Sequence, residues 1–431
     1  MRKALAAAAA ALTLVTSGCS LFGDDDPKFT SVAAPQVSLR AAGLKTAVRI
    51  GLLVSATSPA GEGADYLGPA AGARVAQYRF TQGGAEVTLA VRDDKGTAAA
   101  ATAGVHALLG EGVVGIVAAT SGRHLDDALR LAAGAGVPVL LPYEHRDVPG
   151  ATTAWYTAPS APQIRARLRT LLAAQGLQRP YVLHADGAAA AVTGLTSADH
   201  TTAVRPRQRA ADAIAPVVAA AATKRIDSVV VAGSAATQAA LVAELQGRAG
   251  RLPVVLSPQA LTPAFGNALA ARLDADGSAT PHGRFLTVGR PSVDASAHGQ
   301  GPLADAMSAF LAATRLAAQV DSVEALTHAV PFRQEGAATA DAAAHDAVVA
   351  LVRAAERADS TDAAAVAEAL GSLTLGPADG LAGPTLGFAV RRPLADDALV
   401  AMGSTTQDPG LRSGVTEKAP AVTWFVLPTG D

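Results

Sequence analysis

The 431-residue chain has one cysteine, Cys19, so no disulfide can form within it. The covalent stapling that holds many small exported domains is thereby excluded. Aromatic residues are scarce, at 4%, while half of all residues are hydrophobic. A large core must therefore come from Ala, Val and Leu, which suit close packing of helices on sheets. An excess of charge of either sign is also missing: 35 Lys and Arg stand against 37 Asp and Glu, a formal net charge of −2. No basic block exists beyond isolated pairs such as Arg391 and Arg392. The counterion release that drives nucleic-acid binding then has no source, and neither does an electrostatic grip on anionic lipid.

Catalytic and cofactor signatures are lacking too. The chain contains no GxxxxGK[ST], HExxH or GxSxG. Residues 110–115 spell GxGxxG, but they precede a strand instead of joining a strand to a helix, so their amides would not face a pyrophosphate. The nine histidines are scattered, without the close pairing that zinc requires. Ser121 and His124, three residues apart with no orienting acid, make a poor triad. The chain reads as a non-enzyme with no cofactor and no metal.

What is present begins with an address. Arg2 and Lys3 are followed by an apolar run over residues 4–15, too short to span a bilayer and of the length of a signal-peptide core. Thr16, Ser17 and Gly18 then lead to Cys19, which resembles the bacterial lipobox, with Thr16 where Leu is usual. Residues 1–18 read as a lipoprotein signal peptide and Cys19 as the lipidation site. The alternative is an ordinary secretory signal with an incidental cysteine. Residues 19–45 are polar and mixed and read as a lipidated tether. Several acyl chains, at about 0.8 kcal/mol per buried methylene, would anchor it to the outer face of the cell membrane, on the extracellular or periplasmic side.

From Val48 the pattern changes to short apolar runs, 48–54, 86–91, 113–118 and 137–141, alternating with helical stretches 67–80, 97–109 and 124–135. Strands that are apolar throughout belong to a parallel sheet covered on both faces. Strand–helix alternation at this spacing gives right-handed βαβ units. A second such series follows, with helices over 162–174, 210–223, 236–247 and 263–273 and strands over 181–184, 228–232, 253–257 and 285–288. Long helices come next over 303–318, 340–358 and 361–370, with Thr339 as the cap of the second. The chain closes on short strands over 384–390, 398–403 and 422–427. Asp93 and Asp94 read as caps for the helix from Thr97. His345 and Asp346 read as packing and surface residues of a long helix.

Several stretches resemble the type I periplasmic binding fold, and within it the branched-chain amino-acid (Leu/Ile/Val) binding proteins of ABC importers. They are residues 50–53 with the loop to Gly68 and then 71–73, residues 91–96, residues 112–117 and 133–142, and residues 344–348, 354–358 and 380–384. The resemblance runs in order over about residues 46–390. It implies an α/β fold of two doubly wound, Rossmann-like lobes joined by a three-strand hinge, with crossings near Tyr156, Leu286 and Gly383. Residues 46–156 plus 288–384 would form lobe one, and 157–287 plus 385–431 lobe two.

The resemblance also implies a ligand between the lobes, at the C-terminal ends of the strands. Thr120, Ser121 and the Gly122 amide are the candidates for holding a carboxylate at a helix end. Tyr143, Glu144 and His145 follow the fourth strand, and Ser55 and Tyr66 lie in the opening loop. Ser234 and Gln259 stand where the family carries an aromatic and an acidic residue for the ligand ammonium. A buried ammonium needs a carboxylate, and Glu144 is the substitute at hand. An α-amino acid, another carboxylate, an amide, a polyol and a small aromatic are all open as ligands. The expected function is solute capture by a monomer that feeds an ABC permease. The alternative is a sensing or interaction lipoprotein with a changed or lost ligand site.

Overall fold

The computed structural model describes residues 36–59, 63–185, 187–275, 284–412 and 421–428. The export signal, Cys19 and the tether up to residue 35 lie outside the described residues.

The first series runs β1 (Val48–Val54), α1 (Leu67–Ala70), α2 (Gly72–Gln82), β2 (Val87–Asp93), α3 (Ala98–Gly110), β3 (Gly115–Ala118), α4 (Asp126–Gly134), β4 (Val139–Leu141) and β5 (Ala154–Tyr156). The strands pair in the order β2-β1-β3-β4-β5, parallel throughout. Side chains alternate across each strand. Leu53, Ile116 and Leu141 pack on one face with Leu108 and Leu129 from α3 and α4. Leu52, Val117 and Leu140 pack on the other with Phe80 of α2. Burial on both faces is why these strands read as unbroken apolar runs.

The second series runs α5 (Ala161–Ala174), β6 (Pro180–Ala185), α6 (Ala189–Val192), β7 (Thr201–Val204), α7 (Ala210–Ala222), β8 (Ser228–Ala232), α8 (Ala235–Ala249), β9 (Val254–Leu256), α9 (Pro263–Ala275) and β10 (Phe285–Gly289). Long helices α10 (Pro302–Ala318), α11 (Ala342–Ala358) and α12 (Ala363–Leu370) follow, then β11 (Thr374–Leu375), β12 (Leu386–Gly387), β13 (Val400–Thr405) and β14 (Thr423–Val426). The second sheet has the order β14-β13-β10-β9-β8-β6-β7. Strands β6 to β10 are parallel, and β13 and β14 close one edge antiparallel. Its two faces bury Val229, Val231 and Phe265 on one side and Val230, Val255 and Leu286 on the other. Helix α11 returns to the first sheet, where Val348 and Leu351 join its core beside α2.

The structure departs from several expectations. The cap of α11 is Asp341, whose carboxylate accepts from the Ala344 amide at 3.0 Å, not Thr339. Thr97 caps α3 with its own hydroxyl, whereas Asp93 and Asp94 hold loop amides and hydroxyls. His345 and Asp346 are fully buried. Strands β5 and β7 were not expected, and residues 384–390 supply only the two-residue β12.

The chain also changes sheets later than expected. Strand β10 belongs whole to the second sheet, and Leu386, Phe388, Leu394 and Leu399 still lie in the core of the first. The expected tether ends early as well. Leu39 and Ala41 are buried against the first sheet, and Arg79 Nε donates to the Val37 carbonyl at 2.8 Å. Apolar side chains at 39 and 41 make that stretch part of the folded body.

Candidate functional site

A cavity of about 470 Å³ lies between the two sheets and their helices, within the range of small-molecule sites. Tyr66, Tyr143, His145, Met307, Phe310 and Asp341 form its wall on the side of the first sheet, and Gln259, Leu261, Val422 and Trp424 on the side of the second. Arg290 lines it from the segment after β10. Tyr143 and His145 follow the C-terminal end of β4, Gln259 that of β9 and Arg290 that of β10. Open α/β sheets place ligands at these strand tips because the helix entries and exposed amides gather there.

The polar groups of the wall are held in fixed orientations. The Tyr66 and Tyr143 rings stack at 4.3 Å and 6°. The Tyr143 hydroxyl donates to Asp341 Oδ1 at 2.7 Å, and burial beside that carboxylate pushes its pKa well up. The Ser257 hydroxyl donates to Gln259 Oε1 at 2.7 Å, which orients the amide NH₂. His145 Nδ1 lies 2.7 Å from the Pro159 carbonyl. A carbonyl only accepts, so the proton is on Nδ1 and the lone pair on Nε2. Burial lowers the pKa of this imidazole and favours the neutral ring. Trp424 Nε1 donates to the Ala260 carbonyl at 3.1 Å, leaving the indole to act as apolar surface.

Behind the wall runs a buried charge network. Arg290 Nη2 donates to Asp346 Oδ2 at 2.9 Å. Asp346 also accepts from the Ala382 and Gly383 amides at 2.7 and 3.0 Å. His345 bridges Asp346 and Arg79, with both contacts at 3.0 Å. Because arginine only donates, His345 Nε2 accepts from Arg79 and Nδ1–H donates to Asp346. Burial lowers the Arg79 pKa to about 10 and also lowers that of His345. The Nε and Nη1 atoms of Arg290 are buried and have no hydrogen-bond partner among the described residues.

Of the residues singled out in the sequence, Tyr66, Tyr143, His145 and Gln259 come together on this wall. Among the described wall residues, Ser55, Thr120, Ser121, Gly122, Glu144 and Ser234 do not appear. Their hydrogen bonds show why. Ser55 donates to Asp94 Oδ1 at 2.6 Å, so Thr120 donates to Ser55 Oγ, also at 2.6 Å. Gly63 lies over both: a Cβ there would stand 2.5 Å from Ser55 Oγ and 3.0 Å from Thr120 Oγ1. Ser121 is buried. The Gly122 amide donates to Glu144 Oε2 at 3.1 Å, and Glu144 takes two further bonds from the amide and guanidinium of Arg146, both at 2.8 Å. Ser234 caps α8. Arg290 and Asp341 escaped the sequence reading. Arg290 follows a strand tip, a signal that was available; Asp341 was hidden by the choice of Thr339 as the helix cap.

Burial raises the Asp341 pKa from 3.8 to about 6, against the opposing pull of Arg290 and the Tyr143 and Ala344 hydrogen bonds. A raised folded pKa contributes stability that is full below 3.8 and is lost as the pH climbs to about 6. Among neighbouring charged or titratable groups, Tyr143 and Arg290 pull the value down and Asp346 pushes it up. The wild-type stability minus that of Asp341→Asn, which keeps an oxygen for the cap, should therefore fall between pH 4 and pH 6. Urea unfolding at each pH measures it. A flat difference would show that Asp341 ionises normally, and taking the difference removes the contributions of His145 and His345.

No family model matches the chain, and no curated protein matches it by sequence. Solved structures do. An extracellular ligand-binding receptor of Rhodopseudomonas palustris aligns with a TM-score of 0.63 at 15% identity, covering 89% of this chain and 100% of that one. The branched-chain amino acid transporter substrate binding protein of Streptococcus pneumoniae, in complex with isoleucine, aligns at 0.62 and 16%, with the same coverage. A type 1 periplasmic binding protein of Bordetella pertussis aligns at 0.60 and 17%, covering 83% and 96%. The alignments give the chain the type I periplasmic binding protein fold, an α/β fold with parallel-strand sheets and helices. The three proteins are similar in fold, and their names describe binding proteins and receptors, not enzymes. Among the described residues no helix is long and apolar enough to cross a membrane, and no cluster of His, Cys, Asp or Glu could hold a metal.

Proposed function

We propose that the protein is an exported, lipid-anchored solute-binding protein that captures a small polar metabolite between its two lobes and delivers it to an ABC permease. Amino acids, other carboxylates and amides are the candidate solutes. The observation that carries this reading is the cavity itself, lined by strand-tip residues of both sheets. In this reading the lobes divide where the chain changes sheets, after Tyr156, after Gly289 and just before Val400. Lipid attachment at Cys19 holds the protein outside the membrane. A thermal-shift screen against amino acids, amides, sugars and aromatic acids tests the proposal, since a ligand of the native state raises the melting temperature by mass action. Failure of every compound to shift it would remove the solute-binding reading. The second reading, a sensing lipoprotein with an altered site, draws support from the closed hydrogen bonds of Ser55, Thr120, Gly122 and Glu144.

Contacts between the lobes include the Arg412–Asp294 ion pair and a bond made by Asp65. Asp65, just before α1, accepts from the Ala235 amide at the first turn of α8, at 2.9 Å. A carboxylate at a helix N-terminus is favoured by the helix dipole, by about 0.3–1 kcal/mol. Asp65→Ala removes a bond made only when the lobes are shut, so it favours the open state. A ligand that requires closure should then bind about two- to fivefold more weakly, from the same energy. Titration calorimetry with any hit from the screen reads the change. Unchanged affinity would show that Asp65 does not bias closure.

A further inference from the structure

We infer that the solute is an organic carboxylate with an apolar body and no ammonium group, its charge countered by Arg290. The inference rests on the solute-binding reading and narrows it.

It starts from charge in a buried place. Arg290 is only 8% exposed and spends one nitrogen, Nη2, on Asp346. Asp346 is already shared with two backbone amides and His345. Arg290 Nε and Nη1 are left without partners among the described residues. A buried guanidinium with idle donors is costly unless something supplies acceptors. The side chain lines the cavity, so the acceptor that fits is an anion delivered through it. The other cation of the wall, Arg412, is already met by both Asp294 oxygens, at 2.6 and 2.9 Å. Charge recognition therefore falls to Arg290.

The same wall argues against an ammonium. Glu144, the carboxylate the sequence offered for that role, is turned inward and bound three times within the first lobe. Of the described wall carboxylates, Asp294 is taken by Arg412, Asp408 accepts from the Gly410 amide at 2.8 Å, and Asp341 lies beside Arg290. Its Oδ1 serves Tyr143 and the α11 cap, and its burial favours the neutral acid. An anion on Arg290 would raise the Asp341 pKa further, by like-charge repulsion. Protonated, Asp341 becomes a donor to the incoming carboxylate instead of a partner for a cation. The remaining surface, from Met307, Phe310, Leu261 and Trp424, suits an uncharged body.

Matched compounds with one body and three charge states test this in the intact protein. One triple is 4-methylpentanoate, its amide and leucine; another is 3-phenylpropanoate, its amide and phenylalanine. Calorimetry should give the simple acid at least tenfold tighter binding than both partners of its triple. Tighter binding of the amino acid or the amide would overturn the inference while leaving solute binding intact. Silence from both triples, when the broad screen yields a ligand of another class, overturns it equally. Silence throughout the broad screen removes the solute-binding reading and this one with it. Arg290→Lys keeps a cation for Asp346 but loses the planar donor set, and should cut the acid-to-amide preference about tenfold. Arg290→Gln should bring that preference close to one. Preserved preference in both folded variants would assign the charge recognition elsewhere.

Discussion

Asp346→Ala is expected to lower the free energy of unfolding by about 3–5 kcal/mol. The carboxylate sits on α11, is 1% exposed, and takes hydrogen bonds from Arg290, His345 and the amides of Ala382 and Gly383. Removing it leaves the Arg290 guanidinium buried without its one anionic partner, two amides unmet, and His345 without an acceptor for its Nδ1 proton. An uncompensated buried charge dominates this sum, because a hydrogen-bonded pair in a poorly solvated site cannot be replaced by water. The double variant Asp346→Ala with Arg290→Met separates the terms. It removes both charges, so it should recover a substantial part of the loss if the stranded cation is the main cost. Urea unfolding at pH 7 gives both quantities. A single variant within 1 kcal/mol of wild type would mean that water or the neighbouring Asp341 compensates Arg290. The same geometry bears on Gly383, where a Cβ would stand 2.4 Å from Arg290 Nη2 and 2.7 Å from Asp346 Oδ2. The glycine in that closing loop keeps space for the ion pair.

The sequence carried the fold further than it carried the site. Strands such as Ser228–Ala232 and helices such as α7 were legible because apolar runs of that length, between helical repeats, have one economical packing, a sheet covered on both faces. Strand β7 alternates between exposed and buried positions at a sheet edge, so it lacks the continuous apolar run. β5 is three residues long, and its Trp155 is tied to a partner distant in sequence: Trp155 Nε1 donates to the Phe388 carbonyl. The site was half visible. Tyr143, His145 and Gln259 could be placed because they follow strands. Whether a hydroxyl or amide there is free to meet a ligand depends on tertiary neighbours, and Ser55 and Gly122 turn out to spend theirs on Asp94 and Glu144. Arg290 and Asp346 are 56 residues apart and on different elements. No local spacing announces that pair, and the idle donors of Arg290 can be recognised only once the pair is seen.

Gly72→Ala is expected to destabilise the protein by about 1–3 kcal/mol, the usual cost of forcing extra volume into a packed interface. Gly72 opens α2, and a Cβ there would lie 1.9 Å from the Asp341 carbonyl oxygen, 3.0 Å from its carbon and 3.1 Å from the His345 nitrogen. All three obstacles are backbone atoms, so no side-chain rotation relieves them; α2 and the start of α11 have to separate. This outweighs the gain of about 1 kcal/mol that alanine brings to a helix interior. The displaced segment carries Asp341, whose bond to Tyr143 shapes the cavity wall, and His345 of the buried network. The substitution should therefore weaken solute binding as well as lower the melting temperature. Gly110→Ala is the control, because it makes the same chemical change at the end of α3, where a Cβ meets nothing within 4 Å. It should be neutral or mildly stabilising and leave binding untouched. If the two variants melt together and bind alike, the close approach of α2 to α11 does not fix Asp341, and the position of the cavity carboxyl must be set by Tyr143 alone.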